Sequence, residues 1–233
     1  MTIRTVVETG STNADLLHLA ALGAREGEWL RAEVQTAGRG RQGRAWQSPA
    51  GNLYASTLVR LRPGDPPAPS LALVAAVALH EVLALHLPTP PMLKWPNDVL
   101  VAGAKLSGIL LERSDDAVVI GIGVNVAHYP DLPGRPTTSL AAQGSAVDAV
   151  TLVEVVAEAM ARWVGRWRSE GLATIRAAWL TAAHPIGTAL TVRTPDGRSL
   201  DGLFDGLDAD GALLLRLANG ERRVMHAGDV FLL

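Results

Sequence analysis

MLKWPNDVLVAGAKLSGILLERSDDAVVIGIGVNV, residues 92–126, decides how the rest of the chain is read. It holds the only two lysines, Lys94 and Lys105, among 21 basic residues; the other 19 are arginine. An ammonium is a compact charge and a guanidinium a flat fork, so the two do not substitute for each other where one oxygen or a small phosphate is approached. Chance placement on a short solvated stretch is the competing reading. Leu93 and Trp95, then Val99, Leu100 and Val101, read as strand on either side of a Pro96-Asn97-Asp98 turn. Ala102-Gly103 makes a second tight connection. Lys105 to Glu112 and Ala117 to Val126 are two further strands, joined by a turn at Arg113–Asp116. Glycine inside a strand weakens it unless something must come close to the backbone. Gly108, Gly121 and Gly123 therefore suggest a sheet that forms the floor under a ligand.

The surrounding composition bounds the function. With 233 residues, 48% of them hydrophobic, the chain makes one medium domain or a domain plus a small appendage. The formal charge of −2 and a pI near 6.3 supply no global field for nucleic acid or an anionic membrane. No cysteine is present, so disulfides, thiolate metal sites and a cysteine nucleophile are excluded. MTIRTVVETGST has no apolar signal core. Ser70 to Leu87 is apolar but interrupted by His80, Glu81 and His86, which predicts a buried core helix rather than a membrane span. The expected compartment is the cytoplasm.

Upstream, Ile3 to Glu8 alternates as a strand, and Leu16, Leu19 and Ala20 keep a helical rhythm up to Gly23. Thr12 with Asp15 has the spacing of a capping box. The same helix start, with Ser11 and Thr12, could equally offer N–H groups and hydroxyls to a polar ligand. Trp29 to Gln35 is a second strand. Gly38-Arg39-Gly40-Arg41-Gln42-Gly43-Arg44 follows and has no hydrophobic face. Arginine brings forked donors and glycine lets backbone fold over a ligand, so this is read as a mobile ligand-covering loop. An RNA-binding arginine–glycine tract is the alternative, although such tracts are usually long and repeated. Leu53 to Leu61 is a strand and Arg62 to Pro69 a surface link. His128 to Thr138 is a Pro/Gly loop whose His128 and Asp131 read as surface. Thr151 with Glu154 has capping-box spacing at the start of a helix running to about Glu170, where Trp163 and Trp167 take packing roles; Leu172 to Thr181 is a further helix. From His184-Pro185 the texture changes to short strands with turn signals about every ten residues, predicting a small antiparallel barrel. A unit that small should lean on the first domain.

Ser11-Thr12-Asn13, Gln35, GRGRQGRAW (38–46), KWPND (94–98), AKLSGILLE (104–112) and GIGVNV (121–126) together resemble the biotin protein ligases, in that family's order and spacing. The resemblance covers essentially the whole chain. It implies an α/β (α+β) catalytic domain, residues 1–183, with a mixed, largely antiparallel sheet flanked by helices. That architecture is biotin/lipoate ligase-like and related to class II aminoacyl-tRNA synthetases. A small SH3-like β-barrel, 184–233, would follow. It also implies activation of biotin by ATP to biotinyl-5′-AMP and transfer to a lysine of a biotin carboxyl carrier domain. Ser11, Thr12, Asn13, Gln35, Arg39, Arg41, Gly108 and Gly121 would then bind biotin. Arg44, Trp46, Lys94, Asn97, Lys105 and Asn125 would bind ATP or adenylate. Lys105, Arg41 and Arg39 would act in catalysis, together with Asp98, whose alternative role is to cap the Pro96 turn. Mg²⁺ would arrive with ATP, with no metal site made by the protein alone. A short form without an N-terminal DNA-binding module is implied, hence no DNA partner and no membrane partner, and a homodimer through the catalytic sheet is allowed. Lipoate ligases share the architecture but look less like GRGRQGR and KWPND. A non-catalytic nucleic-acid binder using the arginine–glycine loop is the reading from another class; it predicts salt-sensitive binding and leaves the lysines and strand glycines unexplained.

Overall fold

The computed structural model describes residues 2–233. A seven-stranded sheet carries the first part of the chain. Its strands are β1 (Thr2–Thr9), β2 (Glu28–Gln35), β3 (Leu53–Arg60), β4 (Met92–Lys94), β5 (Asp98–Val101), β6 (Ala104–Ser114) and β7 (Ala117–Val124). They lie in the order β1-β2-β3-β7-β6-β5-β4. Only β1 and β2 run parallel, joined by helix α1 (Thr12–Ala21); every other pairing is antiparallel. The meander read from residues 92–126 is thus one contiguous half of the sheet.

Burial alternates along β7 and separates its two faces. Val118, Ile120, Ile122 and Val124 enter the main core. Ala117 and Val119 meet Leu16 and Ala20 of α1 on the other face. The main core is built on helix α2 (Leu71–Ala84), buried at nearly every position from Leu71 to Leu83. A helix apolar all round must be covered all round. Here the sheet lies on one side, and α3 (Ala149–Glu170) and α4 (Leu172–Ala182) lie on the others. Trp167 is fully buried and donates its indole N–H to Ser70 Oγ at 2.8 Å; Trp163 donates to Glu81 at 2.7 Å. Among the described residues no helix is long and apolar enough to cross a membrane.

Two helix starts differ from expectation. The N-cap of α3 is Asp148, whose carboxylate accepts from the backbone N–H of Val150 and Thr151 at 2.8 and 2.9 Å. It also accepts the Thr151 hydroxyl, so Thr151 sits inside the first turn and makes no box with Glu154. At α1 the N-cap is Ser11, with no side-chain cap bond. Thr12 is committed to Gln35, and Asp15 instead accepts from the Thr9 hydroxyl. The capping-box spacing there belongs to a different hydrogen-bond network.

After α4 the chain forms a second, five-stranded antiparallel sheet of the SH3-like kind. Its strands are β8 (Ala189–Arg193), β9 (Ser199–Leu207), β10 (Leu213–Arg216), β11 (Arg222–Met225) and β12 (Asp229–Leu232), ordered β11-β10-β9-β8-β12. Its buried residues, Phe204 and Leu213 among them, are continuous with the core around α2. His184 lies edge-on against Phe204 at 4.8 Å, and the Trp95 indole N–H donates to Gly211 O at 3.2 Å. The small sheet leans on the large one, as its size requires.

Candidate active site

A cleft of about 630 Å³ opens over the sheet face that carries α1. Its volume is that of a small-molecule site. Along β7 this face runs Ala117, Val119, Gly121, Gly123: two side chains packed on α1, then two glycines. Gly108 of β6 pairs directly with Gly123. The Trp46 ring lies over that pair, and a Cβ at Gly123 would come within 2.7 Å of the indole. A Cβ at Gly121 would lie 2.2 Å from Asn13 Oδ1. The glycines are a floor, made flat so that an aromatic ring and a buried amide can rest on it.

Every sequence-predicted site residue lines this cleft, from Ser11 on α1's cap to Asn125 beyond β7. At one end Ser11, Thr12 and Asn13 are buried. Gln35 Oε1 accepts from the Thr12 N–H at 2.9 Å, and Gln35 Nε2 donates to Ser48 Oγ at 3.1 Å. This end is dense in hydrogen-bonding groups, and the charge nearest to it is the Glu112 carboxylate, which accepts from Asn13 Nδ2 at 2.8 Å and pairs with Arg39.

The other end is ionic. Asp98, at the start of β5, lies 2.5 Å from Lys105 Nζ and 3.2 Å from Lys94 Nζ. Burial works against its charge, but the two ammonium groups outweigh that and hold the carboxyl below its ordinary value. Lys105 Nζ also stands 5.4 Å from the centre of the Trp46 ring. Arg41 Nη1 donates to Asn97 Oδ1 at 3.4 Å and to Gly228 O at 3.3 Å. Burial pulls its guanidinium below its ordinary value, opposed by the carboxylates of Asp229 and Asp98. Arg44 forms an ion pair with Asp229. Burial also disfavours that carboxylate, yet Arg44, Arg41 and Arg135 hold it low.

The arginine–glycine loop, read from the sequence as a ligand cover, is held by its own backbone bonds and by the second sheet. Arg39 bridges Ala45, Gly40 N–H donates to Arg44 O at 2.7 Å, and Trp46 N–H donates to Gly38 O at 2.9 Å. These bonds fold it into a small hairpin, and the second sheet grips it through Gly228 and Asp229. Asn125 also lies differently from a free base-reading amide: its Nδ2 donates to Thr138 O at 2.9 Å and to Lys105 O at 3.5 Å, tying the 126–138 loop to β6.

Several lining or bracing residues had no signal in the sequence. Ser56 of β3 lies beneath Thr12 and Asn13 because β2–β3 pairing carries it there. Asn52 Oδ1 gathers the N–H groups of Val126, Ala127 and His128, each at 2.9 Å, and so fixes where the 126–138 loop begins. Asp229 to Leu232 reach the cleft from some 130 residues beyond Asp98 in sequence, which no local pattern announces. Gly123 was read from the sequence as part of the ligand floor, with Gly108 and Gly121, and the structure places it beneath the Trp46 ring.

Comparison with known proteins bears on this geometry. The sequence pattern of the biotin/lipoate A/B protein ligase family matches residues 10–125, and that of the biotin protein ligase C-terminal domain matches residues 186–233. The biotin–[acetyl-CoA-carboxylase] ligase of Paracoccus denitrificans is 42% identical, over 97% of this chain and 98% of its own. The enzyme of that name from Mycobacterium tuberculosis is 39% identical, over 97% of this chain and 86% of its own. The structure of a biotin protein ligase from Aquifex aeolicus in complex with biotin and ATP superposes with a TM-score of 0.86 at 26% identity, covering 100% of this chain and 98% of that one.

Proposed function

The chain belongs to the biotin/lipoate A/B protein ligase family, and from that premise we propose that it is an ATP-dependent biotin–protein ligase. It joins biotin to ATP as biotinyl-5′-AMP with release of pyrophosphate, then passes the biotinyl group to the ε-amine of one lysine on a biotin carboxyl carrier domain, releasing AMP. One observation carries the reading: a single cleft has an end lined by the uncharged Ser11, Thr12, Asn13 and Gln35, a glycine floor and an end rich in cations. Biotin has a neutral ureido ring, an apolar chain and a terminal carboxylate, in that order.

In the first step a carboxylate oxygen attacks the α-phosphorus and the bond to pyrophosphate breaks. Two anions must meet, so fixed cations are the main contribution a protein can make. Lys105 stands where the carboxylate and α-phosphate would converge, with Arg39 and Arg41 on the covering hairpin and Arg44 at its base. Lys94, Asn97, Trp46 and Asn125 surround the nucleotide half, Asn125 by bracing the loop behind it. Mg²⁺ bound with ATP would add to the neutralisation. Ser11, Thr12, Asn13 and Gln35 take the ring end, above Gly108 and Gly121. Residues 1–183 act as the catalytic unit, and 184–233 close its cationic end through Asp229 and Val230. Mixing the protein with biotin, MgATP and a carrier domain tests the reading: one carrier lysine gains the mass of a biotinyl group. A carrier left unmodified, or one modified equally well by competing lipoate, refutes it.

In the second step the carrier's amine must arrive neutral and aligned. Asp98 is held ionised by two ammonium groups, which makes it a weak base and a good orienting anion. Asp98→Asn is expected to slow single-turnover transfer from preformed adenylate at least tenfold. A wild-type transfer rate removes Asp98 from this step and leaves it the Pro96 turn.

The lysine count gives a further expectation. Both lysines point into the cleft and pair with Asp98, so the protein offers no surface ε-amine to its own adenylate. Incubation with biotin and MgATP alone should leave the intact mass unchanged; heavy covalent labelling contradicts the placement.

A further inference from the structure

Asn52, just before β3, is 2% exposed and lies outside the wall of the cleft. Its Oδ1 accepts from the N–H groups of Val126, Ala127 and His128, each at 2.9 Å, and its Nδ2 donates to His128 O at 2.9 Å. Three donors converge on an oxygen with two lone pairs, so that oxygen is saturated by one short turn. Gly51 completes the seat for the same turn. A Cβ there would lie 3.2 Å from Ala127 Cβ and 3.6 Å from His128 Cδ2.

This turn is where the 126–138 loop leaves the sheet, and the loop belongs to the cationic end of the cleft. Leu132, Arg135 and Thr137 line the cleft. Arg135 stands 5.9 Å from the centre of the Phe231 ring and helps to hold the Asp229 carboxylate low. The far end of the loop is fixed by backbone pairing to Lys105, whose N–H donates to Pro136 O at 2.8 Å and whose carbonyl accepts from Thr138 N–H at 3.0 Å. At the near end, Val126 O accepts from Ala141 N–H at 2.9 Å, and the next two residues are tied by Asn52. Ala127 and His128 are exposed, so water can take over their N–H groups if the amide is removed. The fold then survives, and what is lost is the course of the loop.

We propose that Asn52 is a positioning residue for the nucleotide. By clamping residues 126–128 it keeps the loop in place as a wall of the cationic end, and so sets the apparent affinity for ATP without touching either substrate. The inference rests on the ligase reading and deepens it. A wall that is in place only part of the time lowers the apparent affinity of its ligand by that fraction. The ring end is held by other bonds, from Gln35 to Thr12 and Ser48 and from Ser56 to Asn13, so biotin does not feel the loss.

The test is pyrophosphate release by the full chain with ATP varied at saturating biotin, then biotin varied at saturating ATP. Asn52→Ala is expected to raise the KM for ATP about tenfold, with kcat and the KM for biotin within about threefold of wild type. Gly51→Ala keeps the Asn52 amide but crowds Ala127 from a backbone φ of +97°, and should move the same parameter in the same direction. A wild-type KM for ATP in Asn52→Ala overturns the proposal. So does an equal rise in both KM values, the mark of a merely structural residue. Amide exchange in the ligand-free wild-type protein, followed by NMR, needs no variant to fold. The Ala127 and His128 N–H groups should exchange slowly although both residues are exposed, and the next N–H, that of Tyr129, should exchange faster. Equal, fast exchange from 127 to 129 overturns the clamp. Slow exchange there with no pyrophosphate release from the wild-type protein would instead count against the ligase reading itself.

Discussion

Lys105→Met lowers adenylate formation about 10²–10³-fold while leaving biotin binding within a few-fold of wild type. The ammonium stands at the junction of the cleft's two ends, 2.5 Å from Asp98 and against the ring of Trp46. A cation there stabilises charge that builds only as the carboxylate oxygen closes on phosphorus, so its loss falls on the chemical step. Methionine keeps the unbranched shape, and Lys94 continues to neutralise Asp98, so the fold is expected to survive. Lys105→Arg should not restore the rate. The space beside Gly108 is shaped to a narrow ammonium: a Cβ there would already lie 3.3 Å from Lys105 Nζ. Pyrophosphate exchange measures the rate and calorimetry the binding. An exchange rate within threefold of wild type in Lys105→Met would remove the central electrostatic element of the mechanism.

Gly121→Val is the second large effect, and it falls on the opposite end. A Cβ at this position would sit 2.2 Å from Asn13 Oδ1 and 2.8 Å from Asn13 Cγ. Asn13 cannot swing aside, because Glu112, Leu110 O and Ser56 hold it. The added side chain must therefore push the start of α1 away from β7 and carry Thr12 with it. Overpacking of this kind costs about 1–3 kcal/mol of stability. The larger loss is in affinity: biotin binding should weaken by at least about a hundredfold as the whole ring-end network is displaced. Calorimetric titration with biotin and thermal denaturation of the same sample separate the two effects. Near-normal biotin affinity would mean that the network is not the ring-end site.

The strand meander was legible because its signals are local. Turn residues at Pro96-Asn97-Asp98 and Ala102-Gly103 bracket apolar runs, and period-two burial follows from the pleat. The odd glycines were legible for a similar reason, since nothing else accounts for three of them inside two paired strands. The side-chain hydrogen bonds at the helix starts were not legible. Thr12 and Asp15 satisfy the capping-box spacing, yet Gln35 of β2 takes Thr12 and Thr9 of β1 takes Asp15. A spacing rule cannot know that a partner from another element competes for the same hydroxyl. The partners of the arginine–glycine loop were not legible for a related reason: Gly228 and Asp229, which contact it, come from the far end of the chain.

By itself the sequence determined the inventory: two lysines confined to one meander, arginines alternating with glycines in one loop, hydroxyl and amide groups at one helix start, and a change of texture at His184. Covalent order and local periodicity are enough for these, because each depends on neighbours a few residues apart. Only the tertiary structure decided which of those groups share a cleft, that both lysines face Asp98, and which partners hold Asn13. Those outcomes depend on pairing β3, β6 and β7 edge to edge and on docking the second sheet against the first. Such contacts join residues tens to well over a hundred positions apart, and their energies are fixed by packing and by the count of donors and acceptors once packed.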